Sequence, residues 1–95
     1  RAFRTYGFTQ AQYDQMLLVQ GGVCVICLRK PEDIPRKRGD RLAVDHDHIT
    51  GFVRGVLCPN CNNGLGAFAD DLDRLQRAIE YLRRWQEVQA LEDVS

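Results

Sequence analysis

The stretch Val44-Asp45-His46-Asp47-His48-Ile49-Thr50-Gly51-Phe52-Val53-Arg54-Gly55-Val56-Leu57-Cys58-Pro59-Asn60-Cys61-Asn62 decides the fold. Leu42-Ala43-Val44 reads as a short strand leading into the acidic and histidine cluster. Ile49-Thr50-Gly51 is a turn signal and Phe52 to Leu57 a returning strand, so residues 42–57 are expected to form a hairpin. Gly55 inside the second strand signals a bulge or a close backbone approach. Pro59 holds a favoured first helical position, which predicts a short helix carrying Asn62, ended quickly by Gly64 and Gly66.

Cys58-Pro-Asn-Cys61 has an identically spaced twin, Cys24-Val-Ile-Cys27, thirty residues upstream of Cys58. Four cysteines in a chain of 95 residues can form disulfides or hold a metal. A chain this short has little apolar surface to bury, so a staple of one kind or the other is expected. Two C-x-x-C pairs favour structural zinc, because each closes a short turn that aims two thiolates at one tetrahedral ion. No apolar run resembles a signal peptide or a membrane span, and nothing calls for an oxidising compartment. Such a zinc would join both ends of the hairpin and set its angle to the following helix. A site with four thiolate ligands has no open position for chemistry, so catalysis must be sought elsewhere.

The remaining elements are helical. Thr9 can cap a helix, with Gln12 completing a capping box and Phe8 stapling onto Tyr13. Tyr13, Met16, Leu17 and Gln20 follow helical spacing, and Gly21-Gly22 stops it. This stripe reads as core. Asp70 or Asp71 is expected to cap a long second helix, along which Leu72, Leu75, Ile79 and Leu82 recur, with Trp85 and Val88 extending the apolar face. Asp70, Asp71 and Asp73 suit its positive N-terminal end better than a metal site. The chain reads as a single domain over residues 1–95, with residues 90–95 a flexible tail; flanking domains are not excluded, because the chain does not begin with Met.

The formal charge is zero, from 13 basic and 13 acidic residues, but the distribution is uneven. Through Asn62 there are nine basic and six acidic residues; from Asp70 onward there are four and seven. Arg29, Lys30, Arg36, Lys37, Arg38 and Arg41 fall in one short proline-bearing segment, suited either to phosphate contact or to simple solvation. Arg36, Lys37, Arg38, Arg41 and Arg54 are the candidate nucleic-acid contacts.

Asp45, His46, Asp47, His48 and Asn62 together include what is needed to bind a hard cation and move a proton. Strand alternation would put Asp45 and Asp47 on one face and His46 and His48 on the other. A polar turn is the plainer account of a lone histidine; the cluster beside two zinc knuckles favours a site. A carboxylate and an amide oxygen are hard ligands suited to Mg²⁺, which keeps most of its positions for water and phosphate. An imidazole, with a reference pKa of about 6.5, can accept a proton near neutral pH.

Cys24-x-x-Cys27, Val44-Asp45-His46-Asp47-His48, Thr50-Gly51, Val53-Arg54-Gly55-Val56-Leu57-Cys58, Cys61-Asn62 and Leu65-Gly66 in this order resemble the recombination endonuclease VII family, a branch of the HNH, or ββα-metal, nucleases. The resemblance covers roughly residues 12–85 and is far more specific as an ordered set than in any part. It implies an α+β fold: a small zinc-stabilised ββα-metal (HNH, or His-Me finger) domain with flanking N- and C-terminal helices. It further implies a metal-dependent DNA endonuclease, a phosphodiester hydrolase leaving 5′-phosphate and 3′-hydroxyl ends in the cytoplasm of a bacterial or phage-infected cell. Cys24, Cys27, Cys58 and Cys61 would bind structural Zn²⁺. Asp45 and Asn62 would ligate a catalytic Mg²⁺ or Mn²⁺, with His46 the general base. His48 would contact phosphate or orient the site, Asp47 would hold a histidine tautomer, and Arg54 would neutralise phosphate or pair with Asp47. DNA is the expected partner, with weak sequence preference and no membrane. Branched DNA is one candidate substrate, and the chain would act as a monomer or a homodimer, the face around Trp85 and Val88 serving a dimer or the chain's own core. The competing class is a non-catalytic zinc module that binds nucleic acid or protein.

Overall fold

The computed structural model describes residues 3–4, 7–34 and 42–94. Arg36, Lys37, Arg38 and Arg41, the basic loop singled out above, lie outside the described residues. The chain divides into two compact units, Arg1–Asn63 and Gly64–Ser95.

In the first unit, strand β1 (Phe3–Arg4), helix α1 (Gln10–Val19), strand β2 (Ala43–His46) and strand β3 (Phe52–Leu57) follow in order. The sheet is antiparallel with β3 central, flanked by β1 and β2. The hairpin forms as expected, with β2 reaching past Val44 through Asp45 and His46. Its register runs Ala43 to Leu57, Val44 to Val56 and Asp45 to Gly55, then slips so that His46 faces Val53. Arg54 is therefore the extra residue of a bulge beside Gly55.

α1 begins at the predicted capping box: the Thr9 hydroxyl accepts from the Gln12 amide at 3.1 Å, and the Thr9 amide donates to Gln12 Oε1 at 2.9 Å. It ends in a Schellman motif, with Gly22 N–H donating to the Leu17 carbonyl and Gly21 N–H to that of Leu18, Gly21 at φ +80°. Tyr13 is buried, and its hydroxyl accepts from the Leu42 amide at 2.8 Å, tying α1 to the approach to β2. Without that hydroxyl the buried amide would go unpaired, at a cost of about 1–3 kcal/mol. Gln20 makes a second tie. Its Oε1 accepts from Val56 N–H at 3.0 Å, while Nε2 donates to the carbonyls of Val56 and Val23 at 2.9 and 3.0 Å. A Cβ on Gly55 would stand 3.0 Å from Gln20 Oε1, so this glycine admits the close approach that its place in the strand predicted. Around these ties the core comprises Tyr13, Ile34, Leu42, Val53, Val56 and Leu57 with Cys24 and Cys58.

Helix α2 (Pro59–Ala67) starts at Pro59 as predicted but does not stop at its glycines. Gly64 and Gly66 lie inside it, and termination waits for a Schellman motif in which Ala69 N–H donates to the Gly66 carbonyl and Asp70 N–H to that of Leu65. In the second unit, helix α3 (Leu72–Val94) is capped by Asp71, whose Oδ1 accepts from the amides of Asp73 and Arg74 at 2.9 and 3.1 Å. α3 runs through residues 90–94, where a tail was expected, because no glycine or proline interrupts it. Most of its large apolar residues are exposed, Leu72 at 81 % and Trp85 at 57 %, with Leu75 half-buried, so among the described residues the second unit has no buried core of its own. Among the described residues no helix is long and apolar enough to cross a membrane.

Candidate functional site

The four cysteines converge. Cys24 and Cys27 precede the hairpin, Cys58 follows β3 directly, and Cys61 lies in the first turns of α2; all four sulfurs lie within 4.8 Å of one another. Two local turns aim them. Leu28, at φ +64°, donates its N–H to the Cys24 carbonyl at 2.9 Å, and the Cys24 amide donates to the Arg29 carbonyl at 3.0 Å. In the second pair the Cys61 amide donates to Cys58 Sγ at 3.3 Å.

The cysteines are free thiols, and Cys27 Sγ stands 3.7 Å from Cys58 Sγ, far beyond the roughly 2.05 Å of a disulfide. A tetrahedral ion with Zn–S bonds of about 2.3 Å spaces its sulfurs by about 3.8 Å. The cluster fits that geometry and could hold a metal such as zinc. Its electrostatics fit too. The Arg29 backbone amide draws the Cys27 thiol down to about 6. Burial opposes ionisation of Cys24, but the backbone amides of Cys27, Cys58 and Ile26 outweigh it and lower its pKa. Cys61 is pushed up to about 12, first by burial and then by the neighbouring sulfurs. Four thiolates this close need a shared cation to ionise together.

The second cluster begins one residue before the end of β2. Asp45 is buried, and both of its oxygens are held by Arg54: Nε donates to Oδ2 at 2.8 Å and an Nη to Oδ1 at 3.0 Å. Arg54, expected at phosphate or paired with Asp47, is turned by the bulge so that its guanidinium holds Asp45, while its charge also acts on Asp47. Asp47 serves the turn. Its Oδ1 accepts from the amides of Ile49 and Thr50 at 2.8 and 2.9 Å, where a histidine partner was expected. The Thr50 amide, then that of Ile49, holds its carboxyl below the usual range, with Arg54 adding to the effect.

The imidazoles of His46 and His48 lie together, ring centres 4.9 Å apart and planes tilted by 58°, although β2 ends at His46 and His48 already belongs to the turn. His46 is half-buried and His48 exposed. Asn62 is half-buried on α2, its backbone N–H donating to the Cys58 carbonyl at 3.0 Å. β3, Cys58 and α2 are continuous in sequence, so Cys58, Cys61 and Asn62 share one short piece of backbone. Two positioning residues, Tyr13 and Gln20, read only as core in the sequence. The polar atoms on that apolar stripe were the available signal.

A model of the recombination endonuclease VII family matches residues 1–84. The chain is 45 % identical over 92 residues to the Gene 59 protein of Mycobacterium phage D29, covering 96 % of this chain and 53 % of that protein. With the Gene 59 protein of Mycobacterium phage L5 it shares 47 % identity over 83 residues, covering 86 % of this chain and 48 % of that protein. The chain thus spans about half the length of these curated relatives. No solved structure matches it.

Proposed function

Because the chain belongs to the recombination endonuclease VII family, we propose that it is a metal-dependent DNA endonuclease of the HNH, or ββα-metal, type, acting as a phosphodiester hydrolase in the phage-infected cell. The observation that carries this reading is the Asp45-His46 pair at the end of β2, on a hairpin whose second strand runs through Cys58 into the helix bearing Asn62. That is the order strand, strand, helix, with the acid and base on the first strand and the amide on the helix.

In this reading zinc occupies the cysteine cluster, and Asp45 and Asn62 supply two hard oxygen ligands for Mg²⁺ or Mn²⁺. Held by these two residues, the ion would supply Lewis-acid stabilisation of the charge that develops as the phosphodiester is cleaved. His46 accepts the proton of the water that attacks phosphorus in line. His48, its ring next to that of His46, orients that base or contacts a flanking phosphate. Arg36, Lys37, Arg38 and Arg41 contribute sequence-independent attraction to the DNA backbone.

The competing reading, a non-catalytic zinc module, has one observation in its favour: Arg54 and the hairpin turn give Asp45 and Asp47 structural employment. Incubating supercoiled plasmid, linear duplex and a branched junction with Mg²⁺ or Mn²⁺ separates the two. Cleavage that His46→Ala lowers by at least about a hundredfold, with zinc content and DNA binding retained, supports the nuclease. No ion-dependent cleavage of any form by the wild-type protein supports the binding module.

A further inference from the structure

We propose that Arg54 is a displaceable counter-ion that competes with the divalent cation for Asp45 and passes to a DNA phosphate when cation and DNA bind together. This rests on the nuclease reading of Asp45.

The placement of Arg54 is a product of the bulge. In a regular hairpin continuing the pairing of Asp45 with Gly55, Arg54 would lie opposite His46, and cross-strand partners share a face. Its side chain would then point away from Asp45. Because His46 pairs with Val53 instead, Arg54 is the extra residue of the bulge, and its guanidinium forks onto both carboxylate oxygens at 2.8 and 3.0 Å.

The two partners differ in exposure. The Asp45 side chain is 9 % exposed and that of Arg54 35 %. The carboxylate is thus fixed in the fold, while the guanidinium reaches it from the surface. A cation bound to this carboxylate would sit within a few ångströms of a full positive charge, a repulsion poorly screened at a largely buried site. Displacing Arg54 alone exchanges a two-point ion pair for water. Displacing it onto a phosphate replaces that pair with another, because the guanidinium fork matches phosphate as it matches carboxylate. Cation and DNA therefore assist one another's binding, and such coupling is reciprocal.

The test uses the full chain carrying His46→Ala, so that DNA stays intact, and measures Mn²⁺ binding by calorimetry and by the electron paramagnetic resonance of free Mn²⁺, with and without a duplex oligonucleotide. Adding Arg54→Gln should tighten Mn²⁺ binding without DNA by on the order of tenfold, through loss of the competing charge. The strengthening of Mn²⁺ binding by DNA should shrink toward none, and Mn²⁺ should raise the melting temperature more than in the parent. Unchanged or weaker DNA-free affinity in Arg54→Gln, while Asp45→Asn abolishes Mn²⁺ binding, overturns the counter-ion role and leaves the nuclease reading standing. Mn²⁺ binding indifferent to Asp45→Asn sinks the assignment of Asp45 as ligand itself. Zinc content and amide dispersion report folding. If Arg54→Gln loses its zinc, Arg54→Lys replaces it: giving up the fork should still tighten DNA-free binding severalfold, and parent-like affinity overturns the proposal.

Discussion

Asp45 and Asp47 stand two residues apart and are used in different ways. Asp45 is buried and held by a guanidinium; Asp47 accepts from two amides of the turn that returns the chain to β3. Asp47 also makes the hairpin sensitive to acid. Its folded pKa lies below the usual carboxylate value, chiefly through the Thr50 amide. Its contribution to stability is therefore complete above the unfolded pKa of about 4 and is lost as pH falls through the lower folded value. Asp71 at the start of α3 is depressed in the same direction, first by the Arg74 amide, so the two must be separated by substitution. Thermal melts from pH 6 to pH 3 should show a shallower loss of stability for Asp47→Asn than for the wild type. Parallel profiles would show that this turn bond contributes nothing measurable. In the sequence Asp47 belonged to the catalytic cluster by adjacency alone; which aspartate turns the chain and which meets Arg54 depends on a one-residue bulge, beyond the reach of residue type.

At the scale of elements, α1 and α2 end in the same hydrogen-bond motif with different residues at the left-handed position. α1 has Gly21 there, at φ +80°, and α2 has Ala69, at φ +56°, followed by Asp70 at φ +54°. A left-handed conformation costs an L-residue roughly 1–2 kcal/mol, a cost glycine escapes. Part of that gain is offset by the greater freedom of glycine in the unfolded chain. Ala69→Gly is accordingly expected to stabilise the junction by about 0.5–1 kcal/mol in chemical denaturation. Destabilisation of that size would mean that the alanine methyl makes a contact worth more than the strain. The glycines that looked like terminators, Gly64 and Gly66, fall inside α2. Glycine weakens a helix interior by only about 1 kcal/mol each, whereas Gly21-Gly22 coincides with the end of the apolar stripe of α1.

On the scale of the molecule, the buried side chains among the described residues all belong to the first unit, and two of them, Cys24 and Cys58, are members of the sulfur cluster. An ion there would join the segment before the hairpin to the residue that ends it, so its binding energy would also be folding energy of this unit. Strong chelation, or Cys58→Ser, should collapse the amide dispersion of the first unit together with its zinc content, beyond slowing any cleavage. A variant with native-like dispersion and no bound metal would contradict this. α3 lies in the other unit and has its own cap in Asp71, so its amide signals provide the internal comparison.

By itself the sequence determined the hairpin, the starts of the three helices, the cysteine quartet and the family, but not the edge strand β1 or where α2 and α3 end. Capping box, C-x-x-C spacing, turn signals and proline positions are local, because each rests on bonds between residues a few positions apart. The grouping of Asp45, His46, His48 and Asn62 as candidates rests on the same kind of local reading, from chemistry-bearing residues beside the second knuckle; of these the structure brings together the rings of His46 and His48. Only the tertiary structure decided that Arg54 meets Asp45 and that Gln20 and Tyr13 fasten α1 to the hairpin. Those outcomes depend on register and on contacts between distant segments. A slip of one residue in a strand moves a side chain to the other face, and composition is blind to it.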